Sequence, residues 1–118
     1  MARPRVESTL FPSWTELPVE WNNLDVFQHV NNTHFIRWFE SARVAYLQQC
    51  KLDSWMHDEG MGPIISSIIC HYRRPVLFPD TVRIGARVKH LGRSNMVLYH
   101  AVFSIQTERI VADGESHV

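Results

Sequence analysis

The sequence predicts an α+β fold, an antiparallel sheet of about five strands wrapped around one long helix. Three observations carry this. A helical period runs through residues 33–49, a two-residue period recurs after Gly62, and short turn-forming stretches separate the later segments. Strands joined by tight turns pair antiparallel, and a helix with one wide apolar face needs a sheet to lie on.

The elements follow in chain order. "WTELPVEW", residues 14–21, has an extended pattern, and Pro18 suits an edge position or a bulge. "NNLDVFQHVNN" is rich in turn and cap formers. A helix is predicted over Thr33–Gln49. With residues about 100° apart, Phe35, Trp38, Phe39, Ala42, Ala45 and Tyr46 share one side, and Arg37, Glu40 and Ser41 lie opposite. Asn31 or Asn32 suits the N-cap, where a side-chain oxygen accepts from a free first-turn N–H. "KLDSWMHDEGMGP" closes the helical region, with one extra turn expected around Trp55.

The strands come next. "PIISSIICHYRR" is apolar on both pleat faces, Ile64, Ile68, Cys70 and Tyr72 on one and Ile65 and Ile69 on the other. That predicts a strand buried on both sides, and it hints that another subunit covers the second face or the edge. "DTVRIGARVKHL" points Val82, Ile84, Ala86 and Val88 inward and Arg83, Arg87 and Lys89 outward. "GRSN" is a turn. "MVLYHAVFSIQT" alternates with Val97, Tyr99, Ala101, Phe103 and Ile105 on one face. "RIVADGESHV" reads as a last strand that stops early.

Composition narrows the function classes. At 118 residues one domain, 1–118, is expected, and a chain of that size can bury a core without staples. Twelve basic and twelve acidic residues cancel, which argues against a nucleic-acid partner held by bulk positive charge. Two cysteines, Cys50 and Cys70, are too few for a disulfide framework and read as small buried hydrophobes. The N-terminal stretch has no apolar core of signal-peptide length, and no segment is long and apolar enough to span a membrane. A cytoplasmic location without a membrane partner is the expectation.

"DVFQHVNNTHFIRWFESAR", followed by "YRRPVLFPD" and "GRSN", resembles the 4-hydroxybenzoyl-CoA thioesterase-like acyl-CoA thioesterases. The strongest part is an acid four residues before "HVNN" and then an aromatic helix ending "FESAR". The resemblance implies a hot-dog fold, an acyl-CoA substrate, and a homodimer or homotetramer with its sites at subunit interfaces. It makes Asp25 the catalytic carboxylate. By the same analogy Arg93 and Ser94, at the hairpin after the third strand, would meet the nucleotide part of coenzyme A. Relatives often have Gly where Gln28 stands, and that change is expected to alter the loop backbone or narrow the pocket.

The residues themselves suit that chemistry. Thioester hydrolysis needs a carboxylate, as general base or nucleophile, and a place for developing negative charge on the carbonyl oxygen. A helix N-terminus offers free N–H groups for the latter. Asp25 also has a plain reading, a turn former bonded to its own backbone. His29 would orient water or substrate, or bridge loop to helix. Asn32 would contribute to substrate binding beyond capping, and His34 would sit in the first helical turn at the surface or at a pocket rim. Glu40 and Arg43 read as a solvated or interface ion pair. The histidines lack metal-ligand spacing, so neither a metal nor another cofactor is expected. A non-catalytic acyl-thioester binding module and a hot-dog hydratase or dehydratase are the alternatives.

Overall fold

A computed structural model of the chain describes residues 11–51, 65–93 and 95–118. Strand β1 (Ser13–Pro18) leads through a 3-10 turn (Trp21–Asn23) into helix α1 (Asn32–Gln49). Strands β2 (Ser67–Tyr72), β3 (Thr81–Leu91), β4 (Met96–Ser104) and β5 (Arg109–His117) follow. All five strands form one antiparallel sheet in the order β1-β3-β4-β5-β2. The expected class and element order are therefore present. No helix among the described residues is long and apolar enough to cross a membrane.

The helix and one sheet face make the core. Phe35, Trp38, Phe39, Ala42, Tyr46 and Leu47 are buried on α1, against Val82, Ile84 and Ala86 of β3 and Leu98 and Val102 of β4. The inward row of β3 is the one its alternation predicts. Pro18 ends β1 at the sheet edge, where its missing N–H breaks no ladder. Gly114 of β5 permits the closest approach. A Cβ there would lie 1.9 Å from the Ile69 carbonyl oxygen and 2.9 Å from the Phe39 ring.

Several expectations need correction. Among the described residues strand β2 is an edge strand paired only to β5, and Ile69 and Tyr72 are exposed, so those residues do not bury it on both sides. Strand β5 does not stop early; it runs nine residues and lies between β4 and β2. Cys50 is exposed and Cys70 half-buried rather than both buried. The Glu40–Arg43 pair, 3.8 Å apart, is solvated only at its Glu40 end, since the Arg43 side chain is 7% exposed and that of Glu40 64%. The turn expected around Trp55, and Ile64, lie outside the described residues.

Strand β4 also holds a surprise. The apolar row Val97, Tyr99, Ala101 and Phe103 pairs with the outward row of β3 and faces away from α1. Phe11 covers part of that face, stacked on Tyr99 at 5.6 Å, with the Arg87 guanidinium over both rings. The inward row instead includes His100, fully buried and stacked on Phe39 at 4.7 Å. His100 Nδ1 lies 3.2 Å from the Gly85 carbonyl oxygen, and Nε2 lies 2.8 Å from Ser116 Oγ. A carbonyl oxygen only accepts, so Nδ1 carries the proton and Nε2 accepts from the Ser116 hydroxyl.

Burial, followed by the nearby Arg43 charge, holds His100 down to about 4, against the partial relief of the Gly85 bond. The unfolded chain then binds more protons than the folded one as pH falls from about 6.5 toward 4, and stability is lost over that window. We expect acid to cost the wild type up to about 3 kcal/mol more than His100→Gln across it. Urea denaturation of both proteins at a series of pH values measures the difference.

Candidate active site

Between β1 and α1 the chain closes a tight loop. Leu24 and Val30 form an antiparallel bridge, and the Asp25 N–H donates to the His29 carbonyl at 2.8 Å. Asp25 Oδ1 accepts from the Phe27 N–H at 2.9 Å and the His29 N–H at 3.4 Å. The plain reading of Asp25 as a turn former thus holds for one oxygen. Its Oδ2 has no partner among the described residues. Gln28 takes φ 65°, the left-handed region that favours glycine. The loop therefore keeps a glycine-like backbone, and the Gln28 N–H still closes on the Asp25 carbonyl at 3.0 Å.

The helix start is built just beyond. Asn31 is the N-cap, its side chain accepting from the Thr33 N–H at 2.9 Å and from the Thr33 hydroxyl at 2.9 Å. Its own N–H donates to the Asn23 carbonyl, and the Val30 N–H to the Val76 carbonyl, so the loop is fastened from both sides. Asn32 opens the helix, and its N–H has no partner among the described residues. The Tyr72 hydroxyl donates to the Asn32 carbonyl at 3.1 Å and ties β2 to the same turn.

Asp25, His29 and Asn32 border one cavity of about 290 Å³, with Val30 and Phe35. Its far wall is Tyr72, Arg73, Arg74 and Pro75. Three of the residues singled out in the sequence are therefore brought together. Arg93 is not with them. It lies in the β3–β4 turn, at the opposite end of the sheet, roughly 30 Å along the strands from the Asp25 end. Ser94 lies outside the described residues. His34 borders a different cavity, about 470 Å³, with Leu17, Glu20, Arg37 and Trp38 on the other flank of α1.

Sequence reasoning missed the far wall. "YRRP" was visible, but a strand end gives no sign of which loop it will face. Tyr72 is pushed up to about 12, by desolvation and then by Cys70, so its hydroxyl stays a neutral donor. Cys70 is pushed up to about 11, chiefly by burial, which leaves a thiol unsuited to attack at neutral pH. Among the described residues no three His, Cys, Asp or Glu side chains converge as a metal would require.

Comparisons with known proteins identify the family. The family model of the thioesterase-like superfamily matches residues 19–118. The long-chain acyl-CoA thioesterase FadM of Escherichia coli (strain K12) is 28% identical over 99 residues, 84% of this chain and 75% of that protein. A thioesterase from Thermus thermophilus, solved with coenzyme A and zinc, is 30% identical with a TM-score of 0.79, covering 91% of this chain and 82% of that one. A DHNA-CoA thioesterase from Staphylococcus aureus shares the fold at 20% identity and a TM-score of 0.79, over 89% and 70% of the two chains.

The cap makes a prediction of its own. Asn31→Ala removes the acceptor at the helix start and is expected to cost about 1 kcal/mol. It should also speed amide exchange in residues 32–35, whereas Asn31→Asp should keep both near wild type. Urea denaturation and hydrogen exchange read the two effects.

Proposed function

The chain belongs to the thioesterase-like superfamily, and on that premise we propose that it hydrolyses acyl-CoA thioesters to free acid and coenzyme A at the Asp25 cavity. One observation carries the assignment. Asp25, whose Oδ2 has no partner among the described residues, and Asn32, whose helix-start N–H has none among them either, border the same hollow.

The chemistry follows from their roles. The thioester carbonyl oxygen takes the Asn32 N–H and the positive end of α1, which stabilise the charge that develops as the carbonyl becomes tetrahedral. Asp25 Oδ2 acts from the other side. It accepts a proton from water that attacks the carbonyl carbon, or it attacks that carbon itself and forms a mixed anhydride that water then cleaves. In both routes the C–S bond breaks and coenzyme A leaves as thiolate. The bonds to Oδ1 fix the carboxylate while leaving Oδ2 free. His29 and Asn32 bind and orient the substrate at the cavity rim.

The proposal extends to assembly. Strand β2 has a free edge and exposed Ile69 and Tyr72, the latter on the cavity wall, so a second copy pairing along β2 would close the site. Within one chain Arg93 is too remote to act at Asp25. It can serve a nucleotide only at another copy's cavity.

Free-thiol release from a panel of acyl-CoAs tests the function. Asp25→Asn should lower turnover at least about 100-fold with the fold intact by circular dichroism. Undiminished turnover would move the base elsewhere, and no turnover by the wild type would favour a binding module. Rapid enoyl-thioester hydration would indicate a hydratase instead. Sedimentation should show a dimer or larger, and Ile69→Lys should shift it toward monomer and lower turnover.

A further inference from the structure

The far wall of the Asp25 cavity is cationic, and it has a second side. Arg73 and Arg74 also border a neighbouring hollow of about 270 Å³, completed by Arg109, Ile110 and Asp113. Arg73 is already committed. Its guanidinium donates to both oxygens of Asp113, at 3.1 and 3.0 Å, and this ion pair raises it further above its usual range. The backbone beneath is pinned as well, because the Arg73 and Arg74 N–H groups both donate to the Val111 carbonyl, at 2.8 and 3.1 Å.

Arg74 and Arg109 differ. Neither side chain has a hydrogen bond or an acidic partner among the described residues, yet both border this hollow, beside the one acid that Arg73 occupies. Both arginines are exposed, and together they give the concavity a positive potential. An oxyanion between them gains charge-assisted, bidentate hydrogen bonds. We propose that Arg74 and Arg109 form an oxyanion subsite continuous with the Asp25 cavity, which holds a negatively charged group of the substrate.

This rests on the thioesterase reading for the identity of that substrate. Two parts of an acyl-CoA carry such a group: the diphosphate of the coenzyme, and a carboxylate at the distal end of a dicarboxylic acyl chain. The subsite recognises the same chemistry in either. The Arg73–Asp113 pair occupies both Asp113 oxygens, which leaves Arg74 without that acid as a partner.

The test uses Arg74→Gln and Arg109→Gln in the full chain, with Lys51→Gln as a control for lost charge away from the site. Each subsite variant should raise KM about tenfold for thioesters that carry the recognised group, as for a lost charge-assisted contact. If the group is the diphosphate, the rise appears with every acyl-CoA and vanishes with acyl-pantetheine thioesters. If it is an acyl carboxylate, the rise appears with succinyl thioesters of both coenzyme A and pantetheine, and not with butyryl ones. Calorimetric titration with inorganic pyrophosphate and with succinate gives a readout independent of turnover, and the variants should weaken one of them about tenfold. Unchanged KM values together with unchanged titrations would overturn the subsite. Absence of turnover with every thioester would overturn the thioesterase reading instead, while the titrations would still decide the subsite.

Discussion

The candidate site depends on where α1 begins. A helix start has N–H groups that its own backbone cannot satisfy, and its position fixes where they point. Here the start is set by three fastenings. Asn31 caps it, the Asn31 and Val30 N–H groups reach the carbonyls of Asn23 and Val76, and the Tyr72 hydroxyl holds the Asn32 carbonyl. Thr33 commits its N–H to the cap, and the Asn32 N–H remains. Asp25 is held at the same mouth because its loop closes on itself through Oδ1. Shifting the start by one residue would rotate the first turn by about 100° and separate the two groups.

The interior behind that mouth is less apolar than the sequence suggests. The sheet face against α1 carries His100 and Ser116, and α1 brings Arg43 to the same interior. His100 and Ser116 satisfy each other, with Gly85 completing the set. Arg43 is less well served. Burial pushes its guanidinium down from its usual range, Glu40 only partly offsets that, and its buried Nη1 has no partner among the described residues. A buried charge of that kind opposes a second one nearby. It is one reason that His100 stays neutral.

The sequence made the long-period features legible. The aromatic stripe of α1 and the alternation of β3 each repeat often enough to outvote local exceptions, and both stand as read. Asp25, His29 and Asn32 were legible because they fall within a few residues of one helix start. What failed was information that lives in pairing. The two faces of β2 look equally apolar, yet its place at the edge depends on β5. The apolar row of β4 looks like a core face, yet the register turns it outward and puts His100 inside. The "YRRP" wall meets Asp25 only because β2 ends beside α1. The length of β3 sets Arg93 and Asp25 at opposite ends of the sheet, a distance no local motif encodes.

The strand order bears on how the molecule comes into being. Among the described residues strand β2 has no partner but β5, the last of the described strands, and Ser67 pairs with His117. During synthesis β2 therefore emerges long before anything can hydrogen-bond to it, while β3 and β4 can close as a local hairpin at once. Until residues 109–117 arrive, the isoleucines of β2 stand as an unpaired apolar strand, open to pairing with other chains. The strand that frames the Asp25 cavity is then also the last to find its place. An arrest of synthesis before β5 would leave β1, β3 and β4 paired beside the helix but no far wall to the cavity.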